Sequence, residues 1–321
     1  MKAIIVDGDA LRWGEVDDPR PGVGEILIRN EASAVNRADL VQRSGGYPAP
    51  PGASEILGLE CAGEVIEVGQ GVERYQPGDR VCALLAGGGY AEQVVVAAGQ
   101  ALPIPEGLSS VEAAALPEVF ATAYLNIFME AAARPFERVL LHAGASGVGT
   151  AAIQLCASFD NPCYVTAGDD AKIARCIELG AAGGANRHSE SFAEQVATWT
   201  DGHGFDVILD PVGGAYLKDN LHSLNLEGRL VVIGLMGGAN AEVELGLMMV
   251  QRLRIIGSTL RARSVAAKST VMDQLERRVW PNLRSGEIKP IVDTVFPMAS
   301  AEEAHRLVAG DGTFGKVVLE L

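Results

Sequence analysis

The first 120 residues carry short β-rich segments in a stretch punctuated by glycine and proline. These segments are Ala3–Val6, Glu25–Ala32, Gly63–Val68, Arg80–Ala83 and Tyr90–Val96. Apolar runs of about four to eight residues between turn-forming residues are typical of β-strands. The pattern therefore predicts a compact, mostly β domain in this part of the chain.

From about Phe120 the pattern changes to an alternation of strands and helices. The predicted elements are the strand Arg138–Ala143, the helix Gly147–Ser158, the strand Cys163–Ala167, the helix Ala171–Leu179, the strand Phe205–Asp210, the helix Ala215–Leu224, and the strands Arg229–Gly234 and Arg254–Ser258. Alternation of this kind predicts a parallel, doubly wound sheet, because each right-handed crossover lays a helix on a face of the sheet.

The last sixty or so residues start with a long helical stretch, Ser264–Arg284, and finish with a β-rich segment, Gly315–Leu321. That segment has no parallel-sheet partner in the neighbouring sequence, so we expect it to return to the first domain. The predicted fold class is α/β. A Rossmann domain, residues 121–262, is inserted in a discontinuous, mostly β catalytic domain made of residues 1–120 and 263–321.

Composition narrows the class of protein. The 321 residues are 48% hydrophobic and carry a net charge of −15, which argues against nonspecific nucleic-acid binding because counterion release needs clustered Lys and Arg. The five cysteines are scattered and never spaced as CxxC, so neither a disulfide framework nor a cysteine-rich zinc lobe is expected. No apolar run reaches about 18 residues, and no basic leader precedes an apolar run. We therefore expect a cytoplasmic protein without a membrane span.

A glycine-rich turn between Arg138 and Thr150 carries the most specific chemistry. The segment reads Arg-Val-Leu-Leu-His-Ala-Gly-Ala-Ser-Gly-Val-Gly-Thr and leads into an apolar helix. Glycines allow a tight turn and close helix packing, while the free amides at the helix N-terminus face a pyrophosphate. The pattern predicts dinucleotide binding at Ser146, Gly147, Val148 and Gly149, the alternative being an ordinary strand-to-helix turn. Ser146 replaces the middle glycine of the pattern and adds a hydroxyl donor.

Separated motifs keep a common order and spacing from about Lys2 to Leu321. They are Asn36–Leu40, Pro51–Ser54, Leu57–Glu60, Val72–Val81, Thr122–Tyr124, His142–Gly149 and Gly315–Leu319. Together they resemble the medium-chain dehydrogenase/reductase superfamily, and more closely its zinc-independent quinone oxidoreductases. Within that branch, Gly45–Pro48, Gly87–Tyr90 and Gly234–Gly238 are most similar to the tumour-suppressor-inducible type. The resemblance implies that the first domain is GroES-like.

The resemblance also implies that zinc is absent. Zinc-dependent members place Cys, His and Cys where this chain has Asn36, Leu59 and Glu118, and one carboxylate cannot replace a three-ligand zinc site. Without a Lewis acid, little stabilises the alkoxide that forms from a simple ketone. The expected acceptors are therefore quinones and α,β-unsaturated carbonyls, which give a delocalised anion on hydride transfer.

Asn36 and Tyr47 are the candidate catalytic residues, because the resemblance places both beside the acceptor and their amide and phenol groups can orient a carbonyl oxygen. A structural cap or turn role is the alternative for Asn36. For Tyr47, in a Gly/Pro-rich loop, the alternative is simple packing.

The other cofactor contacts that the resemblance implies are Thr122, Gly168, Gly234, Leu235, Leu260 and Lys316. The alternative for Thr122 is that its hydroxyl bonds to the preceding helical turn. The alternative for Lys316 is that it is a solvated lysine at the end of a strand. His142 is expected to be a packing residue, whereas Arg261 and Arg263 either border the nucleotide or are surface arginines.

The choice of cofactor depends on charges near the second strand. Asp169 lies about 20 residues beyond the glycine turn, where an acidic residue bonds the NAD ribose, but it can equally cap the helix that follows. Lys172 and Arg187 stand where NADPH-using relatives hold the 2′-phosphate, and a guanidinium binds phosphate through two parallel hydrogen bonds. We predict NADP(H), with NAD(H) as the alternative.

The predicted function is NADPH-dependent reduction of a quinone or enone by hydride transfer without zinc. The alternative is a nucleotide-binding sensing or structural protein of crystallin type with incidental reductase activity. An apolar strand near Arg254–Leu260 can extend the parallel sheet across a two-fold axis, so the expected assembly is a homodimer.

Overall fold

A computed structural model describes residues 1–8 and 10–321. The β-strands are β1 (Lys2–Asp7), β2 (Ala10–Glu15), β3 (Glu25–Val35), β4 (Glu60–Val68), β5 (Arg80–Leu84), β6 (Gln93–Ala97), β7 (Ala101–Pro103), β8 (Val139–Leu141), β9 (Cys163–Ala167), β10 (Gly183–Asn186), β11 (Phe205–Asp210), β12 (Leu224–Val232), β13 (Arg254–Gly257), β14 (Val292–Pro297) and β15 (Lys316–Glu320).

The α-helices are α1 (Arg37–Arg43), α2 (Ser110–Ala114), α3 (Pro117–Tyr124), α4 (Gly147–Ser158), α5 (Asp170–Glu178), α6 (Phe192–Thr200), α7 (Leu217–Ser223), α8 (Leu245–Gln251), α9 (Val265–Arg278), α10 (Trp280–Ser285) and α11 (Ala301–Ala309). Leu125–Glu130 is a π-helical segment. Short 3₁₀ turns cover Ala98–Gln100, Gly214–Tyr216 and Met298–Ser300. Across the described residues, no helix is both long and apolar enough to cross a membrane.

The chain divides into two compact units. The first, here called the catalytic unit, combines Met1–Ala121 with Leu260–Leu321, and the second, the Rossmann unit, is Thr122–Thr259. Ala121 and residues 260–262 therefore lie in the catalytic unit, whereas the sequence pattern assigned them to the inserted domain.

The Rossmann unit contains a fully parallel six-stranded sheet in the order β10-β9-β8-β11-β12-β13. Numbered within the unit, this is the 3-2-1-4-5-6 order of a dinucleotide-binding fold, whose direction of winding reverses between β8 and β11. Buried apolar side chains of the central strands, including Leu140, Phe205, Ile208 and Leu230, form its core. The predicted doubly wound parallel sheet is confirmed.

The catalytic unit is mostly β. Six strands follow the order β14-β15-β3-β4-β5-β7, β6 pairs with β3, and β1 and β2 form a separate hairpin. The terminal strand β15 pairs antiparallel with β3, so the expected return to the first domain is confirmed. The expectation that it lacks a parallel partner nearby is wrong, because β14 pairs parallel with it.

Some predicted bounds differ from the structure. The single helix Ser264–Arg284 is two helices, α9 and α10, with Pro281 in the first turn of the second. The predicted helix Ala215–Leu224 shortens to α7, because Leu224 already belongs to β12. All five cysteines are free, buried thiols.

Candidate functional site

The glycine-rich turn joins β8 to α4 in the Rossmann unit. Ser146 caps α4, its Oγ accepting from the Gly149 amide at 3.0 Å. The first backbone bond of the helix runs from the Thr150 amide to the Ser146 carbonyl at 2.8 Å, so the amides of Gly147 and Val148 have no partner within the helix. Because Ser146 Oγ accepts the hydrogen bond from the Gly149 amide through a lone pair, its hydroxyl proton can still donate to another group.

Close packing explains two glycines of this turn. A Cβ on Gly149 would lie 2.5 Å from the carbonyl oxygens of Ala143 and Gly144, and one on Gly144 would lie 2.6 Å from the Val165 side chain on β9. Both contacts are far below van der Waals distance. The turn therefore accepts only glycine at these positions, which brings the start of α4 close against its strand.

The residues assigned to cofactor choice lie together at the carboxyl ends of β9 and β10. Asp169 caps α5, its Oδ1 accepting from the Lys172 amide at 2.8 Å, and its Oδ2 lies 3.9 Å from the Lys172 ammonium. Arg187 follows β10, and a Cβ on Gly168 would be 3.6 Å from its guanidinium. The structure thus shows the capping role of Asp169 and groups it with Gly168, Lys172 and Arg187.

The remaining predicted cofactor residues are dispersed. Thr122 lies in α3, and its carbonyl accepts from Asn126 Nδ2 at 2.7 Å. Gly234 follows β12, where a Cβ would lie 2.7 Å from the Pro211 carbonyl oxygen, and the neighbouring Leu235 is exposed. Leu260 is buried in the catalytic unit.

His142 forms a buried polar chain beneath the glycine turn. Its Nδ1 lies 3.0 Å from Thr166 Oγ1 and its Nε2 lies 2.7 Å from Asn220 Oδ1, and Asn220 Nδ2 donates to Asp210 at 3.1 Å. Burial lowers the pKa of His142 to about 4, although its bond to Asn220 acts in the opposite direction. A neutral, fully bonded imidazole fits the packing role predicted for it.

Asn36 is held by a buried ion pair in the catalytic unit. Lys316 donates to Asn36 Oδ1 and to the Val35 carbonyl, both at 2.7 Å, and lies 2.8 Å from Glu60 Oε1. Asn36 Nδ2 donates to Glu60 Oε1 at 2.9 Å and to the Ala34 carbonyl at 3.2 Å. The carbonyl oxygen and the amino group of the Asn36 side-chain amide are therefore both hydrogen-bonded. Lys316 is buried, so the solvated-lysine alternative is wrong, and its three donors all have acceptors within this unit.

A second buried network fixes the start of α1. Asp39 accepts from the amides of Asn36 and Gly58 at 2.8 and 3.2 Å and from the Tyr90 hydroxyl at 3.0 Å. The Tyr90 oxygen also lies 3.2 Å from His305 Nε2. Burial raises the pKa of Asp39 to about 6, against the opposing effect of these hydrogen bonds and of Lys316. The sequence pattern did not reveal this carboxylate, because its spacing in Asn36–Leu40 is that of an ordinary helix start.

Tyr47 contacts Arg261 rather than Asn36. The guanidinium carbon lies 5.4 Å from the centre of the Tyr47 ring, and Arg261 Nη1 donates to the Tyr47 carbonyl at 3.1 Å. Among the described residues the Tyr47 hydroxyl has no hydrogen-bond partner. Burial raises the pKa of this phenol above its usual value, with Glu118 acting in the same direction, so it stays a neutral donor. Arg261 itself is buried, so the alternative of a surface arginine is wrong for this residue.

The three positions that the resemblance assigns to zinc ligands carry an amide, an apolar side chain and one carboxylate. Asn36 is engaged as described, Leu59 is fully buried, and Glu118 is the single carboxylate. Throughout residues 1–8 and 10–321, no three His, Cys, Asp or Glu side chains are grouped as metal ligands.

A Rossmann unit with a glycine turn, inserted in a mostly β unit, defines the class of two-domain dinucleotide-binding proteins. Family models agree: the zinc-binding dehydrogenase model matches residues 147–277, and the alcohol dehydrogenase GroES-like domain matches residues 22–106. The quinone oxidoreductase of Rattus norvegicus is 30% identical over 305 residues, which cover 94% of this chain and 91% of that protein. The chain therefore belongs to the medium-chain dehydrogenase/reductase superfamily, as the motifs predicted.

This chain also matches part of a much longer protein, and it matches solved structures of its own length. The mycocerosic acid synthase-like polyketide synthase of Mycobacterium tuberculosis is 32% identical over 316 residues, which cover 98% of this chain but only 15% of that much longer protein. Among solved structures, Escherichia coli quinone oxidoreductase complexed with NADPH superposes with a TM-score of 0.87 at 28% identity, covering 100% of this chain and 99% of that one.

Proposed function

We propose that this protein is an NADP(H)-dependent oxidoreductase that reduces quinones or other α,β-unsaturated carbonyls by hydride transfer without zinc. The observation that carries the proposal is that the chain has a capped glycine turn suited to a nucleotide, and has an amide, an apolar side chain and one carboxylate at the positions that the resemblance assigns to zinc ligands. Such a donor set does not make a tetrahedral zinc site. The acceptor must therefore be electrophilic before it binds.

The Rossmann unit fits a dinucleotide. The amides of Gly147 and Val148, which have no partner within α4, suit a pyrophosphate, as do the Ser146 hydroxyl proton and the close turn at Gly149. Lys172 and Arg187 are the cations that we assign to a 2′-phosphate, since both neighbour the start of α5. When bound, the reduced nicotinamide supplies the hydride, and the NADPH complex of the Escherichia coli relative supports this choice.

The catalytic unit supplies the groups for the acceptor. Tyr47 offers a neutral phenol donor, which can orient a carbonyl oxygen and hydrogen-bond the anion that forms on it. Asn36 reaches the acceptor only by giving up its weaker bond, the 3.2 Å contact to the Ala34 carbonyl. Because Lys316 and Glu60 hold the rest of the amide, Asn36 acts from one fixed orientation.

The test follows the absorbance of NADPH and NADH during reduction of a small benzoquinone by metal-free protein. We expect turnover with NADPH, and a loss of about tenfold or more in kcat/KM for Asn36→Ala combined with Tyr47→Phe, because lost transition-state donors cost on this scale. Tyr164→Phe is the matched control, since its hydroxyl bonds to the Trp199 carbonyl inside the Rossmann unit. An unchanged rate in the double variant overturns the assignment of these residues.

Cofactor binding without turnover on any quinone or enone would overturn the reductase proposal and favour the sensing or structural alternative. Dinucleotide affinity is therefore measured in the same samples by fluorescence titration. NADH turnover that exceeds NADPH turnover would make Asp169 a ribose ligand.

We also infer a homodimer formed along the edge strand β13. This strand ends the six-stranded sheet, and apolar side chains are exposed on it and on the preceding helix α8: Leu245, Met249, Val250 and Ile255. Unpaired strand edges with apolar surroundings are common association sites. Light scattering should give twice the chain mass, and Val250→Asp should halve it. A wild-type monomer at micromolar concentration overturns the inference.

A further inference from the structure

The catalytic unit contains a pocket of about 730 Å³ that no step of the proposed reaction has yet used. Its walls include the loops 50–54 and 85–88, the strand β6, and the segment 261–265 together with Lys268 on α9. Small-molecule sites commonly have volumes of about 300–1,000 Å³. The pocket is therefore large enough for an organic substrate of moderate size.

Arg261 brings an unused charged donor to this pocket. Its side chain is 3% exposed, yet only part of the guanidinium is bonded: Nε donates to the Ala86 carbonyl at 2.7 Å and Nη1 to the Tyr47 carbonyl at 3.1 Å. Nη2 is shielded from solvent and has no acceptor among the described residues. A buried charged donor without a partner is costly, so an acceptor that reached this atom would be strongly stabilised.

Lys268 adds a second buried cation beside it. This side chain is 4% exposed, and the hydrogen bond of its ammonium in the described chain is a long one, 3.4 Å, to the Arg261 carbonyl. Burial lowers the pKa of Lys268 below its usual range, and the charge of Arg261 acts in the same direction while Glu118 opposes both.

The carboxylates around this pair are few. Glu118 acts on both cations and the buried Asp39 acts on Arg261, but hydrogen bonds from Asn36, Gly58 and Tyr90 already occupy the Asp39 oxygens. Asp17 and Glu25 also line the pocket, but they are not among the charges that act on the pair. This part of the pocket thus has spare hydrogen-bond donors from two cations.

We propose that Arg261 and Lys268 form an anion subsite, which binds a carboxylate or phosphate group carried by the substrate. The inference rests on the proposed function and adds to it a substrate class: electrophilic carbonyl compounds that bear an oxyanion. Charge-assisted bonds from a guanidinium and an ammonium suit such a group. Because Arg261 lies against the Tyr47 ring, the bound anion is one side chain away from the phenol that orients the acceptor.

Direct binding tests the subsite without any turnover. Benzoate, phenyl phosphate and the uncharged benzamide are titrated into the wild-type protein by calorimetry. We expect one or both anions to bind at least about tenfold more tightly than benzamide, since a charge-assisted bond is worth on this order. Lys268→Met should reduce that preference, since Arg261 alone then remains to bind the anion. Lys289→Met is the matched control, because it removes the same charge from an exposed site in the same unit and should keep it.

The outcomes separate this inference from the proposed function. Preference for benzoate assigns a carboxylate, and preference for phenyl phosphate assigns a phosphate. Anions that bind no better than benzamide, or a preference that is undiminished in Lys268→Met, overturn the subsite. In the kinetic arm, a quinone carrying a carboxylate is compared with its amide. Turnover of both at equal kcat/KM overturns the subsite and keeps the reductase, whereas anion binding without turnover keeps the subsite and overturns the reductase.

Discussion

Replacing Lys316 by methionine tests the buried pair that holds Asn36. Lys316 is 4% exposed and Glu60 is fully buried, with 2.8 Å between their charged atoms. The change removes the cation together with its bonds to the Val35 carbonyl and Asn36 Oδ1. Since Glu60 would then be an uncompensated buried carboxylate, we expect the free energy of unfolding to fall by about 3–5 kcal/mol. That is a large share of the roughly 5–15 kcal/mol typical of a domain.

Urea unfolding at neutral pH, followed by circular dichroism, measures this loss. The double variant Glu60→Gln with Lys316→Met is the informative control, because removing both charges leaves none unpaired and Asn36 can then turn its amide. It should be more stable than Lys316→Met alone, with a coupling energy of about 2 kcal/mol or more. A single variant that loses less than about 1 kcal/mol, or a double variant with additive losses, would refute the argument that this pair is a compensated charge in a dry interior.

Three further changes test separate parts of the molecule. Gly149→Ala should weaken NADPH binding at least about tenfold in a fluorescence titration, because the added Cβ would lie 2.5 Å from two carbonyl oxygens. Gly246→Ala is the control and should leave NADPH binding unchanged, because no atom lies within 4 Å of the Cβ added there. Asp169→Ser should raise the ratio of NADPH to NADH kcat/KM several-fold, and an unchanged ratio would leave only the helix-cap role. Asp39 has a pKa raised from 3.8 to about 6 in the folded protein, so it takes up a proton on folding. The stabilisation that this proton uptake gives to the folded state is complete below the unfolded pKa and is lost as the pH rises through 6. In urea unfolding, the free energy of unfolding of the wild type should therefore rise relative to that of Asp39→Asn by up to about 3 kcal/mol when the pH is lowered from 7 to 4. Parallel stability profiles would contradict this.

The sequence predicted the parts of the fold that repeat a regular pattern. The apolar strands at the centre of the Rossmann sheet and the glycine turn after β8 are buried and periodic, so their signal is strong. The strands that it missed, β2, β7, β10 and β14, lie at sheet edges. β10 reads Gly-Gly-Ala-Asn and has no strand propensity; its glycines are needed because a Cβ on Gly184 would lie 2.8 Å from Val165 and 2.9 Å from Ile173. Tertiary contact, not local preference, makes this strand.

The sequence identified several residues of the candidate site, but it did not show which partners they bond to. Asn36 and Lys316 were both identified, yet nothing in a linear sequence shows that they bond to one another across 280 residues, or that Glu60 joins them. Arg261 presented the same difficulty, because an arginine after a strand is normally exposed. Only its packing against Tyr47 and the Ala86 carbonyl shows that it is buried. Roles that depend on long-range partners need the folded chain.

The same residue can satisfy two of the alternatives that the sequence left open. Asp169 is a helix cap, since Oδ1 accepts from the Lys172 amide, and its Oδ2 lies 3.9 Å from the Lys172 ammonium. The positive end of α5 and that ammonium both offset the negative charge that would otherwise repel a 2′-phosphate. A capping carboxylate at this position is therefore compatible with the proposed NADP(H) preference. Serine is itself a good N-cap, so Asp169→Ser removes the charge and keeps the helix, and any change in cofactor ratio reports electrostatics and not folding.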